Sequence, residues 1–250
     1  MASAEDDLII AEHVDAGYPG KTILHDVSFT VKRGEVFVML GGSGCGKSTM
    51  MKHLIGLNPV LAGRLVVAGR EWNWANRREI LAKIGVMYQS GALFGSMSVL
   101  ENVLLPLEEF TKLKRKEREE KARRLLGLVG LADSADLMPG DLSGGMKKRA
   151  AIARAMALEP EILFLDEPSA GLDPLTSNAL DDLILDLRKR EGMTFVIVTH
   201  ELPSIFKIAD RCVMFDRARH AMVAEGSPQD LRDSCEDMFV REFFARGEVK

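Results

Sequence analysis

Apolar residues in this chain fall into short runs separated by stretches with helical spacing. Residues 23–31 alternate, with Val27, Phe29 and Val31 on one face, which predicts a half-buried strand. Residues 36–40 (VFVML) are continuously apolar, and so are 162–165 (ILFL) and 194–198 (TFVIV). Runs of this kind predict strands covered on both faces, the usual state of parallel strands. Helical patterns occupy 49–57 and 146–158. Strands alternating with helices predict an α/β domain on a mainly parallel sheet. From about residue 90 to 159 the texture changes. Residues 99–107 and 114–129 have helical spacing and strand-like runs are absent, so this span reads as a helical lobe inserted into the α/β core.

Composition adds mainly exclusions. With 250 residues, 46% hydrophobic and 28% charged, the chain can bury a sizeable core and is not a disordered sequence. A formal net charge of -4 gives no reason to expect nucleic acid as a partner, since phosphate backbones demand a basic face. Cys45, Cys212 and Cys235 are scattered and read as reduced thiols rather than a disulfide framework or a zinc site. The acidic N-terminus does not read as a secretory signal, and no stretch reaches the roughly 20 apolar residues that span a bilayer. The expectation is a soluble chain whose membrane role, if any, comes through a partner. Residues 112–124 (KLKRKEREEKARR) mix both signs at helical spacing and read as a solvated helix face. Met238, Phe239, Phe243 and Phe244 near the C-terminus either cap the core or meet another chain.

Three segments carry chemistry. Gly41-Gly42-Ser43-Gly44-Cys45-Gly46-Lys47-Ser48 fits the phosphate-loop pattern G-x-x-x-x-G-K-[ST], with a buried strand before it and a helix after it. Glycines let successive backbone N–H groups turn inward around phosphate oxygens, and the following helix directs its positive end at them. Lys47 reaches the β- and γ-phosphates of ATP in this reading, and the Ser48 hydroxyl binds Mg²⁺. Cys45 reads as a tolerated small residue. The strand at 162–165 ends in Asp166 and Glu167. Asp166 is placed to hold Mg²⁺ and Glu167 to act as general base toward the attacking water. The third segment, Leu142-Ser143-Gly144-Gly145-Met146, opens a helix and offers another anion-binding N-terminus.

Taken singly, the last two would be a strand meeting a polar loop and an ordinary helix start. In this order they resemble the ABC ATPases, and the resemblance runs from about residue 8 to 228. It implies a P-loop ABC ATPase core over 8–235, with an N-terminal antiparallel β subdomain, a helical subdomain at about 90–159 and a C-terminal tail at 236–250. Tyr18 stands where the family stacks an aromatic on adenine, and Thr49 completes the loop. Gln89 stands where the family joins the core to the helical lobe and adds a Mg²⁺ ligand. Gly171-Leu172-Asp173 matches the loop that contacts a second subunit, and His200 the switch histidine that senses γ-phosphate. By itself, each of these single residues would be packing, solvent contact or capping. The family mechanism implies two copies head to tail. Each ATP is held by Lys47 and Ser48 of one copy and by Ser143 and Gly145 of the other.

Met146 replaces the usual signature Gln. With Met87-Tyr88-Gln89-Ser90-Gly91-Ala92-Leu93-Phe94, Leu100-Glu101-Asn102-Val103 and the tail Phe239-Val240-Arg241-Glu242-Phe243-Phe244 followed by Gly247, it resembles the ATPase of Mla-type systems, which move phospholipids with MCE-domain proteins. The implied partners are a second copy, an integral-membrane permease dimer, an MCE-domain protein and a STAS-type regulatory subunit. The implied location is peripheral, on the cytoplasmic side of the inner membrane, with a coupling surface at 89–100. The alternatives are the ATPase of an importer of a small polar solute such as an amino acid, and a non-transport ABC protein. The latter usually carries two cassettes, a coiled-coil insertion or a basic tail, which are not seen here.

Overall fold

The computed structural model describes residues 6–245. Its centre is a six-stranded sheet in the order β10-β9-β3-β8-β7-β6. The strands are β3 (Val36–Gly41), β6 (Ile84–Met87), β7 (Ile162–Asp166), β8 (Thr194–Val198), β9 (Arg211–Asp216) and β10 (Ala221–Gly226). The pairs from β9 to β6 are parallel, and only the edge strand β10 runs antiparallel. Continuous apolar runs suit these strands because each face meets its own core. Val36, Val38 and Leu40 join one hydrophobic cluster, and Phe37 and Met39 join the other. Strands β7, β8 and β9 divide the same way: Leu163, Phe195 and Met214 face one side, Phe164, Val196 and Phe215 the other.

The second cluster is roofed by a four-stranded antiparallel sheet in the order β2-β1-β4-β5 and by helix α1 (Lys47–Leu54). Its strands are β1 (Asp7–Tyr18), β2 (Lys21–Lys32), β4 (Ala62–Val67) and β5 (Arg70–Glu71). The alternation in β2 slips by one residue between the buried Leu24 and Val27. The left-handed backbone of Asp26 (φ 52°) marks the slip, and His13 of β1 (φ 51°) lies opposite. Their side chains pair at 2.6 Å, so the two irregularities lock onto each other. Helix α2 (Arg77–Leu81) leads from this sheet into β6.

The first cluster is covered by helices. Between β6 and β7 the chain forms α3 (Val99–Phe110), α4 (Arg115–Leu128) and α5 (Gly144–Ala155), so the helices expected at 99–107 and 114–129 are present. Helix α3 begins with a capping box between Ser98 and Glu101. Helix α4 turns its charges to solvent, with spaced pairs such as Arg115–Glu119 at 3.6 Å; exposed pairs of this kind contribute little to stability. Helices α6 (Pro174–Glu191), α7 (Leu202–Ile208), α8 (Pro228–Asp233) and α9 (Met238–Ala245) complete that face. In α9, Val240 and Phe244 are buried in the core and Phe244 meets Phe206 edge-on, while Met238 and Phe239 remain exposed. Gly247 lies outside the described residues.

Asn102 pins the segment that enters the helical lobe. Fully buried on α3, it accepts from the Phe94 N–H at 2.8 Å and donates to the carbonyls of Phe94, Met97 and Ser98. Asn102→Ala leaves the Phe94 N–H and the Met97 carbonyl without this partner, which should cost about 1–3 kcal/mol and lower the denaturation midpoint accordingly. Chemical denaturation of the variant beside the wild-type chain checks this, and an unchanged midpoint would refute it.

Candidate nucleotide site

The C-terminal ends of β3, β7 and β8 open onto one edge of the central sheet. Ligands of open α/β sheets bind at such edges, because loops leave the strands there and helix N-termini face back. Residues 41–48 follow β3. Gly41 (φ 140°) and Gly46 (φ 111°) both require glycine. A Cβ at Gly41 would lie 2.4 Å from the Phe215 carbonyl oxygen, and one at Gly46 would lie 2.8 Å from the Leu24 side chain. The loop is therefore shaped by its contacts as well as by its flexibility. Gly42, Ser43, Gly44 and Ser48 are exposed. Helix α1 starts at Lys47 with no side-chain cap, which leaves first-turn N–H groups for a ligand. The Lys47 ammonium is nearly buried and donates to the carbonyls of Gly41 at 2.7 Å and Gly42 at 3.2 Å. It is held folded over the loop that a phosphate would fill. Cys45 is buried behind the loop, and burial pushes its thiol up against the opposing pull of Lys47, so it offers no activated thiolate.

Asp166 ends β7, and β8 lies between that strand and β3. It is thus one strand removed from the phosphate loop rather than on the strand beside it. Burial is the main cause pushing the Asp166 carboxyl up, with Glu167 adding to it, while Lys47 and Lys148 pull it back. Glu167 has a left-handed backbone (φ 46°), rare outside glycine, and its N–H donates to the Val198 carbonyl at 2.8 Å. One carboxylate oxygen, Oε1, lies 2.9 Å from His200 Nδ1. The other, Oε2, is buried and has no hydrogen-bond partner among the described residues. An unpartnered buried oxygen at the sheet edge that carries the phosphate loop is a place for a water or a ligand proton. His200 follows β8 and is exposed. Gln89 follows β6 at the same sheet edge, since Met87 pairs with Leu165.

Tyr18 ends β1 and is 40% exposed, so its ring is free to meet a base. Hydrogen bonds from Thr49 and then Lys52 hold its hydroxyl below the usual phenol range. Asp173 caps α6, where its carboxylate accepts from the N–H groups of Leu175 and Thr176 at 3.1 Å. Ser143 caps α5 by accepting from the Met146 N–H at 3.3 Å. Gly144 and Gly145 pack against Leu172 and Thr176, and a Cβ at Gly145 would lie 2.4 Å from the Thr176 methyl. Among the described residues, no hydrogen bond joins 143–145 to 41–48. The fold therefore brings together Lys47, Ser48, Gln89, Asp166, Glu167 and His200 at one edge and leaves Ser143 to Gly145 presented elsewhere.

Sequence reasoning passed over Lys148. This buried residue of α5 donates to the backbone carbonyls of Gln89 and Glu167. Burial draws its ammonium below the ordinary lysine range, and the charges of Asp166 and Glu167 oppose that shift. The available signal was a lysine one helical turn past Gly144, just before the small apolar run Ala150-Ala151-Ile152-Ala153. Among the described residues no group of three or more His, Cys, Asp or Glu could hold a metal alone. The exposed Ser48 hydroxyl and the single Asp166 carboxylate suit a Mg²⁺ that takes most of its oxygens from phosphate and water.

A glycine-rich loop between a buried strand and a helix, facing a carboxylate-ending strand across one intervening strand, defines a P-loop nucleotide-binding fold. The chain belongs to the ABC transporter family, whose model matches residues 24–170. It is 41% identical over 201 residues to the methionine import ATP-binding protein MetN of Geobacillus kaustophilus, covering 79% of this chain and 58% of that one. It is 39% identical over 224 residues to the probable ribonucleotide transport ATP-binding protein mkl of Mycobacterium tuberculosis, covering 88% of this chain and 62% of the relative. The chain thus spans about three-fifths of the length of these curated relatives. Among solved structures, cbiO1 from Clostridium perfringens superposes with a TM-score of 0.84 at 28% identity, covering 96% of each chain. The dimeric post-hydrolysis structure of the ATP-binding cassette MJ0796 with ADP and Pi gives 0.77 at 28% identity, over 88% of this chain and 98% of that one. Among the described residues, no helix is long and apolar enough to cross a membrane.

Proposed function

We propose that this chain hydrolyses ATP to power transport through a separate membrane permease. The observation that carries the reading is Glu167, with one carboxylate oxygen on His200 and the other buried and unpartnered. It stands at the sheet edge shared with Lys47 and Asp166. Lys47 and the N–H groups of residues 41–48 bind the β- and γ-phosphates, and Tyr18 stacks on the adenine. Ser48, Asp166 and Gln89 hold Mg²⁺, which neutralises charge on the phosphates when bound. Glu167 takes a proton from water as the water oxygen bonds to the γ-phosphorus and the bond to the ADP oxygen breaks. His200 orients that carboxylate and meets the γ-phosphate. Residues 8–235 form the ATPase domain in this reading, 90–159 its helical lobe and 236–250 a tail available to a partner.

The composite site rests on the start of α5. Ser143 and Gly144 are exposed there; Ser143 takes the Met146 N–H, and among the described residues no hydrogen bond engages the N–H groups of Gly144 and Gly145. A second copy placed head to tail supplies the ATP they bind, and Asp173 meets that copy. ATP then closes the dimer because it touches both chains only in the closed state. The solved relative MJ0796 is a dimer, which supports this arrangement. The permease contact falls on the lobe, where a groove of about 820 Å³ is lined by Met97, Leu100, Glu101, Leu104, Arg115 and Glu119. That groove continues the coupling segment at 89–100.

The cargo is phospholipid in this reading, with an MCE-domain protein and a STAS-type subunit as further partners. The assembly works on the cytoplasmic side of the inner membrane. Met146, residues 87–94 and 100–103 and the tail pattern support it. Relatives with the same core are named for methionine, ribonucleotide and Fe(3+) transport, so the cassette core by itself does not select a cargo. Purification with the native partners, followed by mass spectrometry of subunits and lipids, should yield a permease, an MCE-type protein and phospholipid. A copurified periplasmic solute receptor without an MCE-type protein would favour an amino-acid importer instead.

A further inference from the structure

Helix α5 holds two parts of the site through one buried cation. Lys148 Nζ donates to the Gln89 carbonyl and, at 3.1 Å, to the Glu167 carbonyl. Farther along α5, Arg154 donates to the carbonyls of Ala92 at 2.7 Å and Gly91 at 2.9 Å. Gly91 (φ 74°) and Ala92 (φ 49°) both have left-handed backbones. The turn that leads from β6 toward the lobe is therefore gripped by α5 through three carbonyls. The helix carrying this grip begins with Ser143, Gly144 and Gly145.

Glu167 has most need of the restraint. A left-handed backbone at a non-glycine residue is strained and persists only where surrounding contacts enforce it. Three contacts hold the peptide groups of Glu167: its N–H on the Val198 carbonyl, its carbonyl accepting from Lys148, and the same carbonyl accepting from the Ala170 N–H at 3.2 Å. The first is supplied by β8 and the second by α5. Its carboxylate position, set against His200, follows from that backbone conformation.

We infer that Lys148 is a positioning residue for hydrolysis, tying the backbone of Glu167 and the Gln89 turn to the helix that begins at Ser143. This rests on the ATPase reading above. Lys148 makes no hydrogen bond to residues 41–48, so the phosphate loop keeps its shape without it. The same link gives α5 a mechanical role: a shift at its N-terminus, where a second copy's nucleotide would sit, reaches Glu167 through one side chain.

Lys148→Met keeps the length and removes the donors. Steady-state phosphate release by the full chain should show kcat lowered about tenfold, the scale of loss from a slightly misplaced catalytic group. KM and the affinity for a fluorescent ATP analogue should stay within about twofold, the signature of an interaction that matters only for turnover. Lys148→Arg, which keeps charge and donors, should recover most of kcat. Should the Met variant fold poorly, Lys148→Gln repeats the comparison with an amide donor removed from charge. A wild-type kcat in Lys148→Met would overturn the inference, as would an equal fall in kcat and nucleotide affinity. Unfolding of both neutral variants by circular dichroism would also overturn it, in favour of a purely structural lysine. Absence of ATPase activity in the wild-type chain, by contrast, would overturn the hydrolysis reading itself.

Discussion

Glu167→Gln should bind ATP as tightly as the wild-type chain and hydrolyse it about a hundred- to ten-thousandfold more slowly, the usual range for loss of a general base. The amide has the shape of the carboxylate but cannot accept the proton from water. The fold should tolerate it. Glu167 is held by its backbone, through the Val198 carbonyl and Lys148, and not by a salt bridge that the fold requires. A Gln can keep the 2.9 Å contact with His200 Nδ1 by presenting its oxygen or its amide to the appropriate tautomer. The buried Oε2 position loses its charge and takes whichever end of the amide does not face His200. Because ATP persists, any dimer that it closes should persist too. Phosphate release, nucleotide binding and size-exclusion chromatography with ATP and Mg²⁺ read the three parts separately. A variant that turns over at the wild-type rate would show that the base is another group.

The parts of this fold legible in the sequence are those whose cause is local. Strands β3, β7 and β8 are covered on both faces, so their burial is written as unbroken apolar runs. The phosphate loop is a contiguous segment, and its glycines answer to a backbone shape that few other residues adopt. Strand β9 has the same two-faced burial, yet its apolar stretch is four residues between Arg211 and Asp216, too short for periodicity to separate from a buried helix. Strand β1 hides for another reason. Its register shifts between Ala11 and Val14 and again between Val14 and Ala16, which breaks the alternation that would have revealed it. The role of Lys148 left only a faint trace in the sequence, because its meaning lies in carbonyls at Gln89 and Glu167 that only the folded sheet brings to α5. The position of Asp166 needed the same information: the sequence places it at a strand end, and only the strand order puts β8 between it and the loop.

Lys47→Ala should fail earlier in the cycle, at binding. The Lys47 ammonium already lies over the loop, on the carbonyls of Gly41 and Gly42, so little ordering remains when phosphate arrives. Its removal takes away charge-assisted hydrogen bonds worth about 1.5–3 kcal/mol each, or roughly ten- to a hundredfold in affinity apiece. The loop should keep its shape, because the contacts of Gly41 with Phe215 and of Gly46 with Leu24 do not involve the lysine. Lys47→Arg should not restore function, since a forked planar guanidinium does not fit where a compact ammonium lies nearly buried between two carbonyls. Titration with a fluorescent ATP analogue should show the weakened binding, and phosphate release should fall to background. Retained turnover would sink the phosphate-loop assignment. Set beside Glu167→Gln, the two variants divide the site by cause. One keeps the nucleotide and loses the chemistry, and the other loses the nucleotide before any chemistry begins. A chain in which both variants failed in the same way would not be using β3 and β7 for separate tasks, and the division of labour along the sheet edge would have to be redrawn.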